Sequence, residues 1–280
     1  MMTKNIIKSN ISLITFFSAF FIISSTSLSY DTKECYIWFE VNSDESLRTY
    51  MKHAKGWNII GDLIVTSTIY NVEYVTNQLM AFDFTIISGF KTASLFNESN
   101  IYDVEAWIKI AQKAIKISDM TNGKAVILEN EGTIKQLLSR GIDSINVEKL
   151  TDLIGAQRWP EIWFWYAPMG QREPVRTLAF DIARAIKKGI PNSRLIEASS
   201  SAFVNSNENL ISKSNLKRTF ILDKNPISIV YLDDKIFNFW RLSETRKAVN
   251  SAIGNTVIIY PGFGDISNSE AVKSSLLGSD

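Results

Sequence analysis

The chain has 280 residues, 45% of them hydrophobic and 21% charged, with 7 Trp, 9 Tyr and 16 Phe, so it can bury a large core and is neither disordered nor collagen-like. Thirty basic residues against 29 acidic ones leave it near neutral, which gives no electrostatic footprint for nucleic acid or an anionic membrane surface. One cysteine, Cys35, rules out an internal disulfide, and one histidine, His53, leaves serine–histidine and cysteine–histidine nucleophile systems without a ready base and zinc sites without clustered ligands.

In chain order, Lys4 and Lys8 come first, ahead of the uncharged run ISLITFFSAFFII and the small residues of SSTSLS. This pattern predicts a secretory signal peptide over residues 1–29, cleaved before Tyr30. The apolar run falls short of the roughly 20 residues that span a bilayer, with an uncleaved N-terminal anchor as the alternative. No later segment is long and apolar enough to span. The mature chain is therefore expected to be secreted or periplasmic. With Lys4 and Lys8 removed, the basic residues fall one short of the acidic ones.

The mature region, 30–280, reads as one domain: no linker, repeat or charge block divides it. Short apolar runs predict strands at 35–41, 62–69, 84–90, 125–129, 161–168, 194–200, 227–233 and 256–262. Helical patterns lie between them. Val104, Ile108, Ala111 and Ile115 share one helix face, as do Val175, Leu178, Ala179, Ile182 and Ile186. An extra helix is expected within 141–160. Eight strand-then-helix units predict an α/β fold, a single (β/α)8 TIM barrel, with an open doubly wound sheet as the alternative.

Barrel active sites sit at the C-terminal ends of the strands, and here those ends carry acids. Alternation puts Tyr36, Trp38 and Glu40 on one face of the first strand. It puts Glu129 and Glu131 on one face of the fourth if that strand stays extended, Glu197 and Ser199 on one face of the sixth, and Tyr231 and Asp233 on one face of the seventh. Carboxylates around an aromatic-lined mouth suit glycoside hydrolysis, which needs one carboxyl as proton donor and a second as nucleophile or base. Trp165, Tyr166 and Tyr260 lie where sugar rings could pack on them, and Trp163 reads as core.

The segment ILENEG, residues 127–132, resembles the end of the fourth strand in the clan of retaining glycoside hydrolases built on (β/α)8 barrels, where an apolar strand ends in Asn-Glu. The resemblance implies Asn130 as a hydroxyl-binding residue and Glu131 as general acid. The clan's nucleophile is a Glu ending the seventh strand; YLDD stands there, so Asp233 or Asp234 would substitute. The expectation is a glycoside hydrolase with catalytic Glu131, Asp233 and, in reserve, Glu129. Glu40, Asn130, Trp165, Tyr166, Glu197, Asp234 and Tyr260 would bind an oligo- or polysaccharide. No cofactor or metal is implied. Two other readings stand beside it: a catalytically silent barrel that binds carbohydrate or a protein, and a barrel enzyme using magnesium held by Asp and Glu oxygens.

Overall fold

A computed structural model describes residues 33–41, 43–45, 47–48, 62–67, 71–81, 85–96, 100–165, 173–198, 222–231 and 254–260. Its strands are β1 (Glu34–Val41), β2 (Asp62–Ser67), β3 (Ile86–Lys91), β4 (Val126–Glu129), β5 (Ile162–Trp165), β6 (Arg194–Ala198), β7 (Ile227–Tyr231) and β8 (Thr256–Tyr260). Each pairs in parallel with the next. β8 pairs in parallel with β1, Tyr36 opposite Ile258, so the sheet closes on itself and has no free edge.

Among the described residues, helices follow β2 to β5: α1 (Val72–Leu79), α2 (Val104–Met120), α3 (Glu131–Ser139), α4 (Val147–Gly155) and α5 (Val175–Gly189). α4 is the extra helix expected before the fifth strand. The signal-peptide segment lies outside the described residues. Asn71, Asp103 and Asn146 start α1, α2 and α4 by accepting hydrogen bonds from first-turn backbone N–H groups, which otherwise have no helical partner.

Alternation sorts the apolar residues into two layers. Outside the ring, Phe90, Val126, Leu128, Ile162, Phe164 and Leu195 pack against the helices. Inside it, Tyr36, Trp38, Ile87, Ile127, Trp163, Ile196, Ile229 and Ile258 fill the barrel. α5 buries Leu178, Ala179, Ile182 and Ile186, the face its spacing predicts. α2 does not follow its predicted stripe. Its buried face runs through Ala106, Trp107, Ile110, Ala111, Ala114 and Ile117, while Val104 is 48% exposed. The physical reason is Trp107, whose indole Nε1 donates to the Ile101 carbonyl at 2.7 Å and whose ring packs edge-on to Phe96. That anchor turns the helix about its axis. α1 is fixed to the outer face of β3 by a buried hydroxyl pair, Thr76 Oγ1 to Ser88 Oγ at 2.7 Å.

The N-terminal ends of the strands carry a polar floor that the sequence reading did not foresee. Arg194 Nη2 donates to Thr256 Oγ1 at 2.9 Å, and Thr256 Oγ1 donates to Glu34 Oε2 at 3.1 Å. Tyr36 donates its hydroxyl to Glu34, and the Arg194 guanidinium lies 5.5 Å from the centre of the Trp163 ring. Glu34, Arg194 and Thr256 open β1, β6 and β8, so a hydrogen-bonded lattice with a cation–π contact lies at the bottom of the ring.

Gly254, just before β8, donates its N–H to Ser228 Oγ at 3.1 Å. A Cβ at Gly254 would press on the Pro226 carbonyl oxygen more closely than real Cβ atoms come, and would meet the Thr256 carbonyl at 3.1 Å. Both obstacles are backbone, so neither can swing aside. Gly254→Ala is expected to cost about 1–3 kcal/mol, as overpacking does, read as a lower urea midpoint with an unchanged slope. A wild-type midpoint would show that the β7–β8 junction is looser than this packing.

Candidate functional site at the C-terminal mouth

Three residues occupy one register row at the C-terminal ends of adjacent strands. Lys91 on β3 pairs with Glu129 on β4, and Glu129 with Trp165 on β5. Each is in phase with an inward residue two or four positions earlier: Ile87, Ile127 and Trp163. Glu129 is 3% exposed, and Lys91 Nζ lies 3.5 Å from its Oε1, with the lysine side chain about one-third exposed. A carboxylate at that depth needs a countercharge, and the neighbouring strand supplies it.

The apolar strand β4 ends in acid with Glu129 in inward phase and Lys91 beside it. Lys91 is also the residue the sequence reading missed. It ended the third strand at Phe90, one residue short, although the period-two step from Ile87 through Gly89 reaches Lys91.

Glu131 is corrected. The chain leaves β4 at Glu129; Asn130 takes a helical conformation (φ −114°, ψ −6°), and Glu131 is the first residue of α3. The two glutamates therefore do not share a strand face, and the extended geometry that favoured Glu131 is absent. Thr92 holds this corner: its backbone N–H and its Oγ1 both donate to the Glu129 carbonyl, at 3.0 and 3.1 Å, and its Oγ1 lies 3.0 Å from Thr133 Oγ1. Gly132 is required for closeness, because a Cβ there would stand 2.8 Å from the Ala93 Cβ in the 3-10 turn Ala93–Leu95.

Asn130 is buried and donates its backbone N–H to the Trp165 carbonyl at 3.2 Å. It does not cap α3 with its side chain, and its Nδ2 is buried without a partner. Trp165 packs edge-on against Trp38, ring centres 4.5 Å apart, and its Nε1 is likewise buried and unpartnered. Trp163 sits in the interior against Tyr36, at 5.2 Å, and is core as expected.

The other expected residues are not all brought here. Glu40 is on β1 opposite Thr66. Tyr260 ends β8 opposite Tyr231. Glu197 is on β6 opposite Ser228. Asp233, Asp234, Tyr166 and Ser199 lie outside the described residues. Among the described residues, no three of His, Cys, Asp and Glu cluster closely enough to hold a metal ion, and no helix is long and apolar enough to cross a membrane.

No family model matches this chain, and no curated protein does. Among solved structures it is similar to a truncated form of 3-deoxy-D-arabino-heptulosonate 7-phosphate synthase from Thermotoga maritima, at 8% identity and a TM-score of 0.41, covering 86% of this chain and 80% of that one. A likeness this distant brings no activity with it. The expectation of a glycoside hydrolase is corrected here: the chain leaves β4 before Glu131, so the strand geometry that would have paired Glu131 with Glu129 is missing.

Proposed function

We propose that the C-terminal mouth of this barrel binds a small polar molecule, with Glu129 and Lys91 as its charged centre and Trp165 and Asn130 beside them. The observation that carries the reading is the row Lys91–Glu129–Trp165, which sets an ion pair and a tryptophan on adjacent strands at the end of the fold where barrels bind their ligands. A charged pair inside an apolar ring is costly to keep for stability alone. Saccharides are the class to test first, since hydroxyl groups both donate to a carboxylate and accept from indole and amide N–H groups.

The experiment is calorimetric titration with maltotriose, cellotriose and chitotriose. Binding by the wild type, weakened at least about tenfold by Glu129→Gln, is the expected result, since hydrogen bonds to a charged group contribute about 1.5–3 kcal/mol. A sugar that binds Glu129→Gln and Lys91→Met as well as the wild type would place its site elsewhere.

The remaining organisation belongs to the same proposal: eight strands each followed by a helix over 30–280, and export after removal of residues 1–29. The charged start and short apolar run support export. Mass spectrometry of the exported protein is expected to find an N-terminus near Tyr30; an intact Met1 on it would instead mean an anchored form.

A further inference from the structure

We infer that Lys91 is a nucleophile of the mouth, forming a protonated imine with the carbonyl carbon of an aldehyde or ketone such as an open-chain sugar, and that Glu129 carries the protons of that exchange. The inference rests on the reading of the mouth as a binding site and deepens it by naming the ligand's chemistry. Its first support is position. Lys91 ends β3 and Glu129 ends β4, in one register row at the C-terminal edge of the ring. Lys91 Nζ lies 3.5 Å from Glu129 Oε1, and the lysine side chain is 34% exposed where the glutamate's is 4% exposed. The lysine is thus the member of the pair open to a dissolved molecule, and the carboxylate is the member kept from water.

The second support is charge. Ammonium and carbonyl give protonated imine and water, so atoms and charge balance with no further reactant. Glu129 takes one proton from the Lys91 ammonium, and the freed nitrogen lone pair attacks the carbonyl carbon as the C=O π pair passes to oxygen. A second proton moves from nitrogen to that oxygen, giving a carbinolamine. Glu129 then returns its proton to the hydroxyl, which leaves as water while the nitrogen lone pair closes the C=N bond. A cation stands beside Glu129 at the start and at the end, so a carboxylate of this depth keeps its countercharge. Lys187 shows the contrast. It too is paired with a deep carboxylate, Asp223 at 3.8 Å, but the Asp223 oxygens accept backbone N–H groups from Leu195 at 2.8 Å and Asn225 at 3.1 Å, and Lys187 itself donates to the Ser193 carbonyl. That pair ties α5 to the strands beside it and serves as the internal control.

The test incubates the protein with glyceraldehyde and sodium cyanoborohydride, which reduces an imine to a stable amine, and follows each lysine by peptide mass. A trapped adduct adds the mass of the probe less one oxygen. Lys91 is expected to be modified at least about tenfold faster than Lys187, Lys109 and Lys188, although the Lys109 and Lys188 side chains, 58% and 52% exposed, are the more open. Glu129→Gln should slow the labelling of Lys91 about 100-fold, the lower end for losing acid–base catalysis, and leave that of Lys109 unchanged. The ranking within the wild type tests the nucleophile whether or not Glu129→Gln folds. A Lys91 preference that survives in Glu129→Gln would overturn the role of Glu129. Labelling that follows exposure, alongside saccharide binding that Glu129→Gln weakens, would overturn the imine and leave the mouth reading intact. Labelling that follows exposure with no saccharide binding would remove the mouth reading and this inference together.

Discussion

Trp38→Ala is expected to lower the stability of the protein by about 3–5 kcal/mol, the range for deleting a large buried aromatic. In a chain of this size that is a fall of about 10 °C in melting temperature. Trp38 is among the largest fully buried side chains, at 1% exposure, and stands inside the ring edge-on to Trp165. The surrounding strands are bonded on both sides, so they cannot collapse into the space its removal leaves. Trp38→Phe keeps an aromatic ring and part of the volume and should cost less than half as much. Thermal and urea unfolding of the two variants would check this. An alanine variant within 1 kcal/mol of wild type would mean that the interior is not packed as described.

How much of this fold was legible follows from what a sequence pattern reports. Period two and period 3.6 report burial, so most strands and the stripe of α5 could be read directly: their buried residues are apolar and evenly spaced. α2 misled because its burial is set by one aromatic and a hydrogen bond to a loop carbonyl, Trp107 to Ile101, which no hydropathy period encodes. The floor was invisible for a related reason. Glu34, Arg194 and Thr256 are some 60 to 220 residues apart and meet only because the ring closes.

At the mouth, the end of β4 was legible because the apolar run 125–129 stops on Glu129. Lys91 was hidden by a strand boundary drawn one residue early, the least certain feature of any such reading. Glu131 was misplaced for a sharper reason. The alternation that paired it with Glu129 holds only while the chain stays extended, and Asn130, Glu131 and Gly132 already belong to the start of α3. Asn-Glu after an apolar strand is compatible with either course. What decides it is the Thr92 clamp on the Glu129 carbonyl and the close approach of Gly132 to Ala93, both contacts with residues about 40 positions earlier.

The Lys91–Glu129 pair should respond unequally to loss of its two members, and the asymmetry follows from depth. Lys91→Met leaves a carboxylate whose side chain is 4% exposed without the lysine countercharge, whereas Glu129→Gln leaves an ammonium on a side chain 34% exposed, which water can reach. Removing one partner of a buried pair costs about 3–5 kcal/mol, and an exposed pair contributes about 0–1 kcal/mol. Lys91→Met should therefore lie near 3 kcal/mol at neutral pH and Glu129→Gln near 1 kcal/mol. The double variant should be less destabilised than Lys91→Met alone, because it removes the buried charge as well, and the difference between the variants measures the coupling directly. Urea unfolding of the four proteins at neutral pH is the measurement. Equal losses from the two single variants would withdraw the buried ion pair from the centre of the site.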